Sequence, residues 1–341
     1  MRTAMENSNQ TNVQMDLSII ISLYNEKESL RELTEWIVRT LADKGWSYEI
    51  ILVDDGSEDG SWTVVRELSE QYGDGRTGDG RSVVQIRGIR HRRNYGKSAA
   101  LYNGFKAARG RVVITMDADL QDSPEEIPEL YRLITEEGWD LVSGWKKKRL
   151  DNKLTKNLPS KLYNWTARKI TGIHLHDMNC GLKSYRSEVV KSIEVYGEMH
   201  RYIPYLAKNE GFTRITEMPV HHQKRKYGKS KFGLERFVNG FLDLLSLWFL
   251  STFGKKPMHF FGFTGLVTFL IGFICAVWII ADKLISQGQG LPYRPVTDQP
   301  GFFLALTALI LGVLLFLAGF IGEMVSRSST ERNHYNIKEE F

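Results

Sequence analysis

Two apolar spans near the C-terminus constrain what this chain can fold into. Residues 258–281 and 301–322 contain no Asp, Glu, Lys or Arg, and each is as long as the ~20 residues that a helix needs to cross a bilayer. The mean hydropathy of the whole chain is nevertheless −0.28, so the rest of it must be distinctly polar. The pattern predicts a polar domain tied to a membrane by two helices. It excludes a transporter built mostly of helices and a disordered tail protein.

Charge and cysteine content narrow the range of partners. The chain has 45 Lys and Arg against 40 Asp and Glu, a net charge of +5 that suits an anionic membrane surface or phosphorylated ligands and does not single out nucleic acid. Cys180 and Cys275 lie in very different surroundings, so we expect no disulfide framework, and no Cys/His spacing supports zinc. For His174 and His176 we favour a structural role, because no third ligand lies nearby in the sequence. Residues 1–16 form a polar tail without the apolar core of a signal peptide, so the polar domain is expected in the cytoplasm.

Short apolar runs alternate with helix-spaced segments over the first 145 residues. The pattern predicts strands at 17–23, 48–53, 83–89, 112–116 and 140–143. It predicts helices at 28–44, 60–72 and 98–108, and a further helix that starts at Ser123-Pro124. This alternation is typical of an α/β fold with a mostly parallel sheet that is covered on both faces. Ligands of such sheets bind at the carboxyl ends of the strands, where this sequence has its acidic clusters.

The segments around the apolar spans predict how the chain meets the membrane. Residues 232–250 have the pattern of a helix lying in the membrane interface; a third spanning helix is the alternative, but Asp243 near its middle would be costly. Basic residues are scarce in the connection 282–300. They flank the outer ends of the two spans, with Lys255 and Lys256 before the first and Arg327 and Arg332 after the second. This bias predicts a multi-pass protein of the plasma (inner) membrane with both termini in the cytoplasm. The expected organisation is a tail (1–16), a polar domain (17–231), an interfacial segment (232–256), two spanning helices (257–326) and a cytoplasmic tail (327–341).

Two acidic residues offer a site for a metal ion. Asp117 and Asp119 follow the predicted strand 112–116, with Gln121 in reach, and Mg²⁺ or Mn²⁺ favours such carboxylates together with substrate phosphates. A calcium loop starting at Asp55 is rejected, because Arg66 stands where a bidentate Glu is needed. Two Gly-Lys-Ser sequences, at 96–98 and 228–230, lack the earlier glycine of a nucleoside-triphosphate loop. Taken singly, each acidic motif is more typical of a turn than of a binding site.

The ordered set of motifs is more specific than any one of them. Along the chain the set comprises Tyr24-Asn25-Glu26, Val53-Asp54-Asp55-Gly56-Ser57, Arg93-Asn94-Tyr95-Gly96-Lys97, Asp117-Ala118-Asp119-Leu120-Gln121 and Arg225-x-x-Gly228-x-Ser230-Lys231. With these motifs the sequence resembles the family 2 glycosyltransferases of the GT-A fold. It is most similar to the membrane-bound polyprenyl-phosphate group, which includes dolichyl-phosphate mannose synthases and bacterial undecaprenyl-phosphate sugar transferases. The resemblance implies a Rossmann-like, mostly parallel sheet, an interfacial helix and two C-terminal transmembrane helices.

The resemblance also implies a role for each motif residue. The nucleotide-sugar would be bound by residues of four motifs: Tyr24, Glu26, Val53, Asp55, Asp117, Ala118, Arg225 and Lys231. Asp119 and Gln121 would hold the metal, Mg²⁺ or Mn²⁺. Asp177 would face the acceptor, and together with Asp117 and Asp119 it makes up the implied catalytic set.

Two positions depart from the family's pattern. Many relatives begin the first motif with Pro-Thr, where this chain has Ser22-Leu23. Relatives often place an acceptor-binding Arg after the strand 140–143, where this chain has Trp145. The basic stretch that follows offers five possible replacements to bind the acceptor phosphate: Lys146, Lys147, Lys148, Arg149 and Lys161. A solvated or headgroup-facing patch is an equally good interpretation of that stretch.

The implied function is inverting transfer of a single sugar from a UDP- or GDP-sugar to a polyprenyl phosphate at the cytoplasmic membrane face. A phosphate monoester has a second pKa of about 6, so the acceptor is largely ionised near neutrality and needs no strong general base. A processive polysaccharide synthase is disfavoured, because the chain lacks a Gln-x-x-Arg-Trp motif and has few spanning helices. Two further functions stay open: sugar transfer to a soluble acceptor, and nucleotide-sugar binding by an inactive, membrane-anchored protein. We expect no nucleic-acid partner, and a homo-oligomer is compatible with the sequence.

Overall fold

The computed structural model describes residues 15–73, 82–147, 172–227, 249, 257–292, 294–328 and 337–340. Two compact units contain them: one holds the described residues up to 227 together with 337–340, and the other holds residues 257–328. Some predicted features lie outside the described residues. These are the tail up to residue 14, the interfacial helix 232–250 apart from residue 249, and the candidate site residues Lys148, Arg149, Lys161 and Lys231.

The first unit alternates strands and helices as the sequence predicts, and continues with shorter elements. The strands are β1 (Leu17–Leu23), β2 (Ser47–Asp54), β3 (Val83–His91), β4 (Val112–Asp117), β5 (Leu141–Trp145), β6 (Lys183–Arg186), β7 (Ile215–Pro219) and β8 (Ile337–Glu340). The helices are α1 (Lys27–Leu41), α2 (Ser61–Gln71), α3 (Lys97–Ala107), α4 (Ile127–Thr135), α5 (Ser187–Ser192) and α6 (Ile203–Asn209). Short 3₁₀ turns at Pro124–Glu126 and Met199–Tyr202 lead into α4 and α6.

The described strands form one sheet in the order β7-β5-β6-β4-β1-β2-β3-β8. The central pairs β4–β1, β1–β2 and β2–β3 are parallel, as is the pair β5–β7. Only β6 and β8 run antiparallel to their neighbours within the described part of the sheet. The predicted α/β fold with a mostly parallel, GT-A-like sheet is therefore confirmed.

The two faces of the sheet are covered by different helices. Leu17, Ile19 and Ile21 of β1 belong to one continuous core with buried residues of α1, α2 and α4. Ile20 points the other way, toward α3, where a Cβ added to Gly104 would lie 2.5 Å from its side chain. Gly104 therefore allows α3 to pack directly on the sheet. Burial on both faces explains why the central strands are nearly continuous apolar runs.

The second unit is an antiparallel pair of long helices, α7 (Pro257–Gly288) and α8 (Pro300–Ser328). Both are long and apolar enough to cross a membrane, and both extend beyond the spans expected from the sequence. A Cβ added to Gly265 would lie 2.7 Å from the carbonyl oxygen of Gly312, and one added to Gly312 would lie 2.6 Å from the backbone nitrogen of Phe269. Glycine at these positions lets the two backbones touch, a mode of packing typical of membrane helices.

Candidate active site

Three predicted motifs meet at one edge of the sheet, because they follow adjacent parallel strands. Leu23, the last residue of β1, is paired in register with Asp54 of β2, and Ser22 is paired with Asp117 of β4. The motifs that begin at Tyr24, Asp54 and Asp117 therefore start at the same level of the sheet. This is the edge where ligands of parallel α/β sheets bind.

Hydrogen bonds join the first motif to the second. The backbone nitrogen of Asn25 donates to Ser57 Oγ over 2.8 Å, and the backbone nitrogen of Glu58 donates to Asn25 Oδ1 over 2.9 Å. Asn25 has a φ of +55°, a left-handed conformation that Asn tolerates better than most residues. At Gly56 a Cβ would lie 2.6 Å from the backbone carbon of Arg93, so a glycine is required for this close approach.

Asp55 is held by groups from the end of β3 and the start of α3. Its Oδ1 accepts hydrogen bonds from His91 Nδ1 at 2.7 Å and from the backbone nitrogen of Tyr95 at 2.9 Å. Its Oδ2 accepts one from the backbone nitrogen of Gly96 at 2.8 Å. Asn103 Nδ2 lies 2.9 Å from the other ring nitrogen of His91. The chain Asn103–His91–Asp55 is a buried network that the sequence pattern did not predict.

Asp117 lies among lysines. Lys97, at the N-terminus of α3, donates to Asp117 Oδ1, and Lys183 at the start of β6 donates to the carbonyl oxygen of Cys180. Burial raises the pKa of Asp117, but the positive charges of Lys97, Lys146 and Lys183 outweigh it, so the net pKa of this carboxyl is lowered. Asp117 is therefore an anion over the whole physiological pH range.

Asp119 and Gln121 are brought together by an unusual turn. Leu120 between them has a φ of +59°, which is rare for a side chain of this size and costs on the order of 1–3 kcal/mol. The backbone nitrogen of Gln121 donates to Asp119 Oδ1 over 3.2 Å. Partial burial and the charge of Asp117 raise the pKa of Asp119, because two neighbouring half-buried carboxylates disfavour double ionisation. A cation at this position would relieve that repulsion.

The segment 221–227 closes over the acidic motif. Asp122 and His222 form an isolated β-bridge, and the backbone nitrogen of Gln223 donates to the carbonyl oxygen of Gln121 over 2.8 Å. These bonds carry Arg225 to the site, where it binds Glu26 and lies 3.9 Å from Asp119 Oδ2. The motifs at the two ends of the domain, almost 200 residues apart in sequence, thus share one set of ion pairs.

The donor set of this edge fits a hard divalent cation. Asp119 supplies a carboxylate, and the Gln121 amide nitrogen is directed toward the carbonyl oxygen of Gln223 at 3.3 Å, which leaves the amide oxygen as the second donor. Within the described ranges, no group of three or more His, Cys, Asp or Glu is placed to hold a metal ion. Mg²⁺ and Mn²⁺ suit such a sparse set, because they keep several waters and substrate phosphates as ligands.

The remaining predicted residues are distributed around this edge. Val53 and Ala118 are buried next to the motif carboxylates, and Tyr24 is half-buried after β1. Asp177 is buried and accepts a hydrogen bond from the backbone nitrogen of Asn179 at 3.2 Å. Lys146 lies 3.0 Å from the buried carboxylate of Asp122, so its charge is already paired inside the domain. The roles of these residues in binding stay predictions.

Comparisons with known proteins agree with this geometry. The family model described as Glycosyl transferase family 2 matches residues 18–194. The dodecaprenyl-phosphate galacturonate synthase of Rhizobium johnstonii is 34% identical over 332 residues, which cover 96% of this chain and 94% of that protein. The undecaprenyl-phosphate 4-deoxy-4-formamido-L-arabinose transferase of Aeromonas hydrophila is 33% identical over 323 residues, which cover 95% of this chain and 92% of that protein.

A solved structure is also similar to this chain. The glucosyl-3-phosphoglycerate synthase from Mycobacterium tuberculosis in complex with uridine diphosphate has a TM-score of 0.49 at 17% identity, over 70% of this chain and 80% of that one. The family model covers more than half of the chain, and relatives one third identical cover nearly all of it. The chain is therefore an enzyme that belongs to glycosyltransferase family 2.

Proposed function

We propose that this enzyme transfers a single sugar from a UDP- or GDP-sugar to a polyprenyl phosphate, with inversion at the anomeric carbon. The observation that carries the proposal is the shared edge of β1, β2 and β4, where Lys97 pairs with Asp117 and Arg225 lies 3.9 Å from Asp119. Oxygen donors for a divalent cation and positive charges for a diphosphate occur there together. Such a combination stabilises the charge on a departing nucleoside diphosphate.

Asp119 and Gln121 would hold Mg²⁺ or Mn²⁺, which when bound neutralises charge on the departing diphosphate. The protein's own cations act on the same group. Arg225 reaches the edge from the segment 221–227, and Lys97 reaches it from the first turn of α3. With Tyr24, Glu26, Val53, Asp55, Asp117, Ala118 and Lys231 they complete the proposed nucleotide-sugar site.

The transfer step follows from the chemistry of the two substrates. An oxygen of the acceptor phosphate forms a bond to the anomeric carbon, while the bond from that carbon to the diphosphate oxygen breaks and its electron pair leaves with the nucleoside diphosphate. One displacement of this kind inverts the configuration. The acceptor oxygen is already ionised near neutrality, so the protein needs to orient it rather than deprotonate it. Asp177, which is buried, is the proposed acidic residue on the acceptor side.

The names of the relatives support the acceptor class and leave the sugar open. The names of the two relatives described above each contain a polyprenyl phosphate, together with galacturonate in one name and a formamido-arabinose in the other. Two apolar helices long enough to cross a membrane would hold this chain where such lipids are found. The proposal therefore specifies the acceptor and not the sugar.

The pairing of the C-terminal strand supports the proposed topology. β8 follows the two long helices in the chain, yet it pairs with β3 in the sheet, Ile89 opposite Glu340 and Arg90 opposite Glu339. A sheet lies on one side of a membrane, so the chain between residues 227 and 337 would cross an even number of times. This favours two spans and an interfacial segment at 232–256 over a third spanning helix. With the basic flanking residues, it supports a cytoplasmic domain at 17–231 and cytoplasmic termini.

The test is an incubation of membranes containing this chain with a panel of radiolabelled UDP- and GDP-sugars, followed by solvent extraction. We expect label in the organic phase, released by mild acid, as a single sugar on a polyprenyl phosphate. Label that stays in the aqueous phase as polymer or oligosaccharide would favour a processive or soluble-acceptor transferase. Nucleotide-sugar binding without turnover across the panel would favour the inactive binding protein.

A further inference from the structure

A cluster of one aromatic and three charged or polar side chains lies beside the active-site edge and has no part in the donor site. Trp145 is the last residue of β5, and His176 stacks on it with ring centroids 4.2 Å apart and planes 18° apart. The Glu217 carboxylate accepts hydrogen bonds from His176 Nδ1 and, at 2.7 Å, from its backbone nitrogen. Lys147 Nζ lies 5.6 Å from the centroid of the Trp145 ring. We call these four residues the Trp145 cluster.

The register of the sheet places this cluster opposite Asp117. Lys183 of β6 is paired on one side with Thr115 of β4 and on the other with Ser143 of β5. Asp117 lies two residues beyond Thr115, and Trp145 lies two residues beyond Ser143. Asp117 and Trp145 are therefore at the same level and on the same face of the sheet. Two strand spacings separate them, roughly 10 Å. Such a gap leaves room for the sugar ring between a leaving group at Asp117 and an acceptor at Trp145.

The cluster presents donors to the solvent. Glu217 is 15% exposed and holds the Nδ1 side of the imidazole, whereas the His176 side chain is 55% exposed. Nε2 has no hydrogen-bond partner within the described part of the chain, so it is the ring nitrogen available to a ligand. Lys147 is exposed and its amine lies near the Trp145 ring, whereas the neighbouring Lys146 is paired with Asp122.

Imidazole and ammonium suit a phosphate monoester in both of its common ionisation states. An imidazolium Nε2–H and the Lys147 ammonium donate to the dianion, and a neutral Nε2 accepts the proton of the monoanion's hydroxyl group. A diphosphate is less well served, because Arg225 pairs with Glu26, which follows β1 on the side of β4 away from β5. The ligand chemistry that this cluster fits is therefore a single terminal phosphate.

We propose that the Trp145 cluster binds the phosphate of the acceptor lipid, with His176 Nε2 and Lys147 Nζ as its donors and Glu217 as the residue that orients His176. The inference rests on the proposed function, since it names the acceptor's phosphate site in that reaction. Trp145 supplies the rigid surface on which the two donors are held. Where relatives often have an acceptor-binding Arg, this chain has Trp145, and the cluster supplies other cations for the acceptor.

The test compares His176→Gln and Lys147→Gln with the control His174→Gln in the full chain in detergent. His174 is an exposed histidine two residues away, with no contact among those that hold the cluster. Removing a hydrogen bond to a charged group should raise the KM for a short-chain polyprenyl phosphate roughly tenfold in each test variant. The KM for the nucleotide-sugar should stay within about twofold, and the control should change neither constant. If His176→Gln fails to fold, the exposed Lys147→Gln still decides the question.

Direct binding tests the phosphate site separately from turnover. Farnesyl phosphate and inorganic phosphate are titrated calorimetrically into wild type and His176→Gln; weaker binding of both to the variant supports a headgroup site, and unchanged binding of both overturns it. An acceptor KM within twofold of wild type in both test variants, or a donor KM that rises in step, also overturns the inference. If wild type binds farnesyl phosphate through His176 but transfers no sugar to any polyprenyl phosphate, the proposed function fails while the phosphate site stands.

Discussion

His91 offers a sharp test of how the nucleotide edge is built. Its ring is fully buried, with Nδ1 2.7 Å from Asp55 Oδ1 and Nε2 2.9 Å from Asn103 Nδ2. Because the Asn103 amide nitrogen donates, Nε2 accepts and the proton is on Nδ1, where it is donated to Asp55. His91 therefore connects a core amide to a carboxylate at the proposed nucleotide site. We consider the substitution His91→Ala.

The expected loss follows from the two bonds. Removing a hydrogen bond to a charged group costs about 1.5–3 kcal/mol, and leaving the nearly buried Asn103 amide unpaired costs about 1–3 kcal/mol. Their sum is about 2.5–6 kcal/mol, which is a large share of the free energy of unfolding of a typical domain, about 5–15 kcal/mol. For a domain of this size the unfolding midpoint should fall by roughly 5–24 °C. Because Asp55 also loses a fixed partner, the KM for the nucleotide-sugar should rise.

The assay is thermal unfolding of the detergent-solubilised full chain, together with the KM of the nucleotide-sugar. His221→Ala is the control, because His221 is exposed and its backbone nitrogen, which the substitution keeps, makes the hydrogen bond to Glu126. That substitution should change the free energy of unfolding by less than about 0.5 kcal/mol. An unfolding midpoint for His91→Ala equal to that of the control would show that the buried network contributes nothing to stability. An unchanged donor KM would show that it does not position Asp55 for binding.

Three further predictions test the metal, the helix pair and the topology. Asp119→Asn should lower kcat by roughly 10²–10³-fold, and excess chelator should abolish activity in wild type until Mg²⁺ or Mn²⁺ is restored; activity in chelator would contradict this. Gly312→Leu should lower the unfolding midpoint of the solubilised protein, whereas Gly288→Leu, with no atom within 4 Å of its added Cβ, should not. Gly290→Cys should react with an impermeant thiol reagent in intact cells, and Glu70→Cys should react only after lysis; the reverse pattern would overturn the orientation.

Much of the central fold could be predicted because its strands are buried on both faces. An apolar run of seven residues such as Leu17–Leu23 is short for a core helix and typical of a buried strand, and the motif after it then lies at a strand end. Adjacent parallel strands bring their carboxyl ends together without further information. The grouping of Asp55, Asp117 and Asp119 at one edge follows from that rule and is what the register shows.

The later strands could not be predicted, since each is short and carries charged residues. β6 has four residues and includes Lys183, whose amine is satisfied by a backbone carbonyl that the sequence does not reveal. β7 includes Glu217, and β8 comes from the polar C-terminal tail. Their pairing depends on contacts with distant strands, which hydrophobic periodicity cannot detect.

Several site residues escape sequence reasoning because their significance depends on a distant partner. His91 is 36 residues from Asp55, and His222 forms a bridge with Asp122 that is 100 residues away. The lack of a third ligand nearby in the sequence favours a structural role for His176, yet its partners Trp145 and Glu217 lie on the strands β5 and β7. These polar residues do occur at or beside strand ends, but polar residues are so common there that this position alone does not identify them as site residues.

In the structure the acids and cations of the donor site pair with one another. Arg225 binds Glu26 and lies 3.9 Å from Asp119, so a metal ion at Asp119 and a diphosphate at Arg225 each compete with a protein charge. Arg225→Ala should therefore act on the two ligands in opposite directions. UDP should bind roughly tenfold more weakly in the presence of Mn²⁺, because a charge-assisted bond is lost. Mn²⁺ alone should bind more tightly, because Asp119 is freed from a positive neighbour.

Lys226→Ala is the matched control, since Lys226 pairs with Glu32 on the surface and its loss should alter neither affinity. Calorimetric titrations with Mn²⁺ and with UDP measure both constants, and a variant that loses affinity for metal and nucleotide together would refute the competition.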